Sequence, residues 1–224
     1  IKYEAVIAKF YGSDAEIYYN EIRTVRSKNL TVVNTMEVSV AEKIVEQLKT
    51  NSTTAPIVNL VNSSRYTVID QMQIEGYEID GLPLKSMLDK VIIDHDKRVI
   101  QPYDLKCTWS VENFYEEYYL YRRAYIQGYL YHQGAGFWAS EMGYGDYTIL
   151  FPKFIVCDST NYMNPLVYAM GQDSINNAFD GFEYKGREYP GVAQLIEDLK
   201  WALDNDVWNI SRENHINNGV VKLG

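Results

Sequence analysis

Apolar and polar positions alternate most sharply in the middle of the chain. Lys90-Val91-Ile92-Ile93 and Arg98-Val99-Ile100 are β-branched runs on either side of the polar cluster Asp94-His95-Asp96-Lys97. That pattern predicts two strands around a tight turn, since β-branched side chains fit a pleated surface and short polar residues favour reversal. With a third strand ahead of them, residues 72–80, 84–94 and 98–107 form a meander. The period then changes: Phe114, Tyr118, Tyr121 and Tyr125 recur at spacings of four, three and four, which predicts a helix over 110–133. Ser110 can cap it, Glu112 sits in its first turn, and Gly134-Ala135-Gly136 stops it. Tyr147 to Cys157 and Pro165 to Met170 read as two more strands. After Pro190-Gly191, residues Ala193, Leu195, Ile196, Leu199 and Ala202 give a helix one apolar face. Ahead of the meander, Val40, Ile44, Val45 and Leu48 predict a helix over 37–49, closed by the polar loop Asn51-Ser52-Thr53-Thr54. Strands interleaved with helices make the expected class α/β, a mixed central sheet flanked by helices. The expected organisation is one domain over 1–224: an accessory helical lead at 1–60, a core at 72–172, and a C-terminal helix and tail at 185–224.

The register of the predicted hairpin decides which side chains meet. A two-residue turn at Asp96-Lys97 sets Asp89 directly opposite Asp104, with Cβ atoms roughly 5 Å apart. A four-residue turn at 94–97 makes them diagonal neighbours on the same face. Only an odd loop would separate the faces, because side chains alternate with period two. Lys106 follows Asp104 by two and shares its face. Two carboxylates one hairpin apart can hold Mg²⁺ or Mn²⁺ through oxygen, and the carbonyl of Leu105 between Asp104 and Lys106 is a natural further ligand. A lysine beside such an ion can orient or help deprotonate a water. By itself Asp-x-Lys is a weak motif, and a solvated charge cluster has the same composition. On the following helix Gln127 and Tyr131 are four apart and share a face, with Arg123 one turn earlier on that face.

Taken in order, Asp89 on one strand, Asp104-Leu105-Lys106 on the next and a helix with Gln127-x-x-x-Tyr131 resemble the PD-(D/E)XK nuclease superfamily in its RecB-like branch. The runs Gly81-Leu82-Pro83-Leu84-Lys85-Ser86-Met87-Leu88-Asp89, Tyr103 to Thr108 and Tyr121 to Gln127 are similar to phage and prophage exonucleases of the RecE-like kind. The resemblance covers roughly residues 72 to 172. It implies a restriction-endonuclease-like fold and Mg²⁺- or Mn²⁺-dependent hydrolysis of DNA phosphodiesters. It also implies resection of duplex ends for a strand-annealing partner in recombination, in the cytoplasm of a bacterial or phage-infected cell, with self-association an open option. The implied site is Asp89, Asp104, Lys106, Gln127 and Tyr131, with metal on Asp89, Asp104 and Leu105, and with Arg123 and Lys85 on DNA. The family also supplies a further acid from a preceding helix. Here the helix offers Glu37, Glu42 and Glu46, whose alternative is a water-facing side of an amphipathic helix, and the preceding strand offers Glu75, Glu78 and Asp80. Glu46 and Glu78 are the preferred pair. The chain opens at Ile1 rather than Met, which leaves room for a catalytic helix ahead of it. A catalytically silent fold-mate acting as a DNA-binding or assembly module is the alternative reading, and a tyrosine-rich ligand-binding protein is a third.

Composition changes this picture in three ways. A length of 224 residues with 46% hydrophobic content can bury one sizeable core, and no apolar run is long enough for a bilayer. Two cysteines, Cys107 and Cys157, both in expected buried strands, suit a reducing compartment and exclude a four-cysteine metal or iron–sulfur site. The three histidines are scattered, with His95 expected in the turn. A net charge of −9 opposes broad nucleic-acid binding, yet Lys85, Lys90, Lys106, Arg122 and Arg123 gather in the proposed catalytic third. The 20 tyrosines are the other unusual feature. Those at 115, 118, 119, 121, 125 and 129 are expected to pack rather than to stack on bases.

Overall fold

The computed structural model describes residues 3–28 and 30–221 and divides into two compact units, Ile1–Val45 and Glu46–Gly224. The first holds α1 (Tyr3–Phe10), α2 (Asp14–Ser27) and most of α3 (Thr35–Thr50). α3 opens on a reciprocal cap in which the Asn34 side chain accepts the Glu37 N–H at 2.9 Å and the Glu37 carboxylate accepts the Asn34 N–H at 2.7 Å. That bond removes Glu37 from the list of acids free for other work. The second unit continues α3 and adds α4 (Ala55–Val58).

A long meander follows: β1 (Tyr66–Ile79), β2 (Leu82–Asp94) and β3 (Val99–Thr108). The chain then forms a π-helix over Tyr115–Tyr121 and α5 over Ala124–Glu141. Next come β4 (Thr148–Ile149), β5 (Lys153–Asp158) and β6 (Leu166–Ala169). The remainder is α6 (Gln172–Asp180), the small hairpin β7 (Phe182–Tyr184) and β8 (Arg187–Tyr189), α7 (Val192–Asn205) and α8 (Arg212–Ile216). The main sheet has six strands in the order β1-β2-β3-β5-β6, with β4 also beside β3. β3 runs parallel to β4 and β5, and the other neighbours are antiparallel. This is the expected mixed α/β sheet flanked by helices. No described helix is long and apolar enough to cross a membrane.

The β2–β3 register is the expected one, from Asp94↔Val99 to Lys90↔Tyr103. The connecting loop is the four residues 95–98 rather than two, but it is centred on the same pair of residues, so pairing is unchanged. His95 lies in it, bonded through its ring to Thr67 at 2.8 Å and Tyr147 at 3.1 Å. Two buried clusters lie where α5 covers the sheet: one gathers Met72, Ile74, Leu88, Val91, Ile93 and Ile100 under Tyr131, Ala135 and Ala139, the other Phe154, Val156 and Met170 with Tyr125 and Tyr129.

The helix expected over 110–133 is broken and longer. Arg123 stands at φ 58°, ψ 37°, as the residue ahead of the first turn of α5, and it borders the same cavity as Gln127 and Tyr131. Ser110 caps nothing; its N–H donates to the Thr108 hydroxyl at 3.3 Å. α5 runs through Gly134, Ala135 and Gly136 instead of stopping there. Gly134 is a contact point: a Cβ would sit 3.4 Å from the Tyr77 ring and 3.5 Å from Ile74. Gly128 likewise lets Met170 approach to where a Cβ would be. The tyrosines of this region mostly pack, and their hydroxyls find carbonyls, Tyr118 on Cys107 and Tyr125 on Pro190, both at 2.9 Å. Cys107 is exposed, contrary to expectation, and Cys157 is buried. The strand expected over 147–157 is interrupted at Leu150–Pro152.

Candidate active site

The site begins with a slip in the phase of two strands. Along β2 both Leu88 and Val91 are fully buried under α5, although they are three residues apart. Along β1 Ile69 and Met72 both pack against the same cluster. Period two cannot do this. The ladder skips one pair between Asp70↔Lys90 and Met72↔Leu88, and Gln71 there has φ 52°. A left-handed residue with a Cβ costs roughly 1–2 kcal/mol, and the burial of a residue such as Leu88 or Val91 offsets it with about 1.5–3 kcal/mol each. Two side chains on each strand are thereby turned off the α5 face. Asp70, Gln71, Asp89 and Lys90 all line one cavity of about 330 Å³. Tyr103, Asp104 and Leu105 of β3 complete its polar wall, with Leu48, Val58 and Ile155 on the apolar side.

This modifies the expectation that Asp89 and Asp104 share one face as an ordinary cross-strand pair. The ladder ends at Lys90↔Tyr103. Beyond it, the Asp89 carboxylate replaces the missing backbone acceptor, taking the Leu105 N–H at 2.8 Å on Oδ2, with the Gln71 amide 3.4 Å from Oδ1. The N–H and C=O of one strand residue point the same way. Since the Leu105 N–H faces Asp89, its carbonyl faces the same gap. Lys90 is held by Asp70 at 2.6 Å.

Asp104 is 1% exposed. Its Oδ1 accepts the Gln127 amide at 3.0 Å, and its Oδ2 meets the Lys106 ammonium at 2.6 Å without an aligned hydrogen bond. The Gln127 amide also donates to the Tyr131 hydroxyl at 2.6 Å, one turn on along α5, so one NH₂ group serves both Asp104 and Tyr131. Burial pushes the Asp104 carboxyl above the ordinary range, the Lys106 ammonium pulls it back, and the nearby Asp89 charge adds to the rise. Tyr131 is pushed up by burial first and by the Asp104 charge second. Asp89, Asp104, Leu105, Lys106, Gln127 and Tyr131 are therefore neighbours in space.

Lys85 and Arg123 border a second cavity, about 420 Å³, on the other side of Gln127 and Tyr131. The additional acids are not brought in. Glu46 lies exposed on α3 and Glu78 lines a separate cavity with His132; neither borders the space shared by Asp89 and Asp104. Asp80 is paired with Lys200 at 2.7 Å. Among the described residues no three acidic, histidine or cysteine side chains converge as a metal cluster. The Asp89 carboxylate lies in the gap between β2 and β3 while the Asp104 carboxylate turns to α5, so the two border one cavity from different sides. Oxygen donors of this kind suit a hard dication that keeps several waters of its own. Such an ion would compete with Lys106 for Oδ2 of Asp104. Gln71, Asp70 and Tyr103 were not expected here. Only the spacing of Ile69 and Met72, and of Leu88 and Val91, could have pointed to them.

No protein-family model matches the chain. No curated protein matches it. Among solved structures the chain is similar to one from Eubacterium rectale named "Putative exonuclease", at 14% identity over 98% of this chain and 76% of that one, with a TM-score of 0.49.

Proposed function

We propose that this chain is a Mg²⁺- or Mn²⁺-dependent deoxyribonuclease that hydrolyses phosphodiester bonds. One observation carries the reading: Asp104, buried and bonded to Lys106 and Gln127, borders the same cavity as Asp89 where two strands part. Burial raises the Asp104 carboxyl, and the charge of nearby Asp89 adds to the rise, a combination that is common where charged groups gather for chemistry. Asp89, Asp104 and the Leu105 carbonyl would hold the ion, which supplies a more acidic water and counter-charge for the phosphate. Lys106 orients the attacking water and offsets charge on the phosphate as the cation nearest Asp104. Gln127 fixes the orientation of Asp104, and Tyr131 fixes Gln127. Arg123 and Lys85, exposed on the neighbouring cavity, meet the DNA backbone.

The finer reading rests on the motif order set out above: a RecE-like exonuclease of a phage or prophage, resecting duplex ends in the cytoplasm for a strand-annealing protein. The alternative, a silent member of that fold which binds DNA, is favoured by one observation, the absence of a third converging acid among the described residues. End-labelled linear duplex and closed circular DNA, each incubated with and without Mg²⁺, separate the readings. Metal-dependent loss of the linear form with the circle spared is expected. Binding without cleavage under every metal condition would establish the silent module instead.

A further inference from the structure

The cavity on the far side of Gln127 differs in chemistry from the one that Asp89 and Asp104 share. Its floor is apolar, formed by Met87 on β2, Ile126 and Leu130 on α5, and Leu195 on α7, and its charged residues are Lys85 and Arg123. No acidic residue lines it. Elsewhere in this unit some cations are held by acids, Lys90 by Asp70, Lys185 by Glu116 and Lys200 by Asp80, and others lie over aromatic rings, Arg122 on Tyr118 and Arg187 on Tyr189. Among the described residues neither Lys85 nor Arg123 has an ion pair or a side-chain hydrogen bond, and Glu75, the ladder partner of Lys85, makes no ion pair with it. What sets Lys85 and Arg123 apart is that both border one apolar floor with no acid beside them, in a chain of net charge −9. Arg123 also holds a left-handed backbone, φ 58°, a conformation disfavoured for a residue with a Cβ and often retained at ligand clamps.

We propose that this cavity receives one unpaired nucleotide, its phosphate between Lys85 and Arg123 and its base on the Met87, Ile126 and Leu130 floor. The inference rests on the nuclease reading for its place in a reaction. A phosphate track along duplex DNA needs cations only and would leave the apolar floor facing water. A stacked, paired base cannot leave the helix to reach such a floor without unpairing, whereas a frayed end supplies a free base at little cost. A pocket of about 420 Å³ falls within the range of small-ligand sites. Gln127 borders this cavity and bonds Asp104 at 3.0 Å, so a nucleotide seated here lies one side chain from the buried carboxylate. The chemistry favours ends over interior sites.

The test is equilibrium binding of deoxyadenosine monophosphate, deoxyadenosine and inorganic phosphate to the full chain by calorimetry, without metal. The monophosphate is expected to bind about tenfold or more tightly than either fragment, because it engages cations and floor together. Arg123→Gln and Lys85→Gln should each weaken it about fivefold and leave deoxyadenosine unchanged, while Met87→Ser weakens both. All three side chains are exposed, and unchanged melting temperatures will show that the variants fold. Monophosphate binding no tighter than phosphate, or indifferent to both cation variants, overturns the proposal. Cleavage is read separately on linear duplex. Nucleotide binding with the expected pattern but no cleavage would remove the nuclease reading and leave this site, whereas cleavage without nucleotide binding would do the reverse.

Discussion

The two ends of the β2–β3 hairpin carry the same residue in nearly the same burial and put it to opposite use. At the turn, Asp94 is 7% exposed and fully partnered: the Arg65 guanidinium forks onto both oxygens at 2.8 and 3.3 Å, and the Lys97 N–H adds a third bond at 3.0 Å. Its carboxyl is held down at about 2, chiefly by the Arg65 bond. At the open end, Asp104 is 1% exposed, its carboxyl is raised, and one oxygen lacks an aligned bond. A charge whose partners outweigh its burial stabilises the fold around it, while one whose burial outweighs its partners marks a place where function is more often found. The contrast separates holding the hairpin from using it.

The sharpest way to break that contrast is to neutralise each acid. Asp104→Asn is expected to lower DNA cleavage by about 10³-fold or more with the melting temperature retained, in the range of losses at groups acting directly on the reaction. If instead it unfolds the protein with residual activity intact, Asp104 belongs with Asp94. Next in size is Lys106→Ala, for which a rate loss of about 10²-fold is expected with metal binding kept or strengthened, as for removal of acid–base assistance. A parent-like rate would reduce Lys106 to a charge balance for Asp104. Gln127→Ala should slow turnover about tenfold, the scale of a lost orienting contact. Normal turnover with a lower melting temperature would show that its bond to Asp104 only fastens α5 to the sheet.

Asp94→Asn should be the mildest in catalysis, leaving the neutral-pH rate unchanged, and its effect is on acid stability. A carboxyl whose folded pKa lies below its unfolded value stabilises the native state above the ordinary carboxylate range. That contribution is lost as pH falls from about 4 towards 2. The melting temperature of the parent should therefore fall through that window, and the variant, already lower at neutral pH, should show a shallower decline. A parallel decline in both would mean that the Arg65 fork contributes nothing measurable.

The hairpin and its register were legible because Lys90 to Ile93 and Arg98 to Ile100 are β-branched around a polar tip, and any even loop centred there keeps the same pairing. That Asp104 and Lys106 share a strand face, and Gln127 and Tyr131 a helix face, followed from periodicity, whereas their selection as one site came from the family resemblance. The break at Arg123 was not legible, since neither glycine nor proline marks it. Gly134 and Gly136 misled in the opposite direction, as residues that usually end helices; here both lie within α5, and Gly134 lets it lie close to β1. Nor could Glu37 be recognised as part of a cap while the helix was expected to begin at residue 37, past its partner Asn34. The small α6 and β7–β8 elements carry too few apolar positions to show a period.

The phase slip beside Gln71 makes the hairpin sensitive to length in a way that substitutions do not reveal. At the tip, removing or adding two residues keeps every side chain on its face. Within β2, deleting one residue between Leu88 and Val91 would put the strand out of step with Ile69 and Met72 opposite, and leave a single position where the chain now presents both Asp89 and Lys90. Variation in this protein can therefore change tip length in steps of two, but the spacing of Leu88 and Val91 is a fixed ruler.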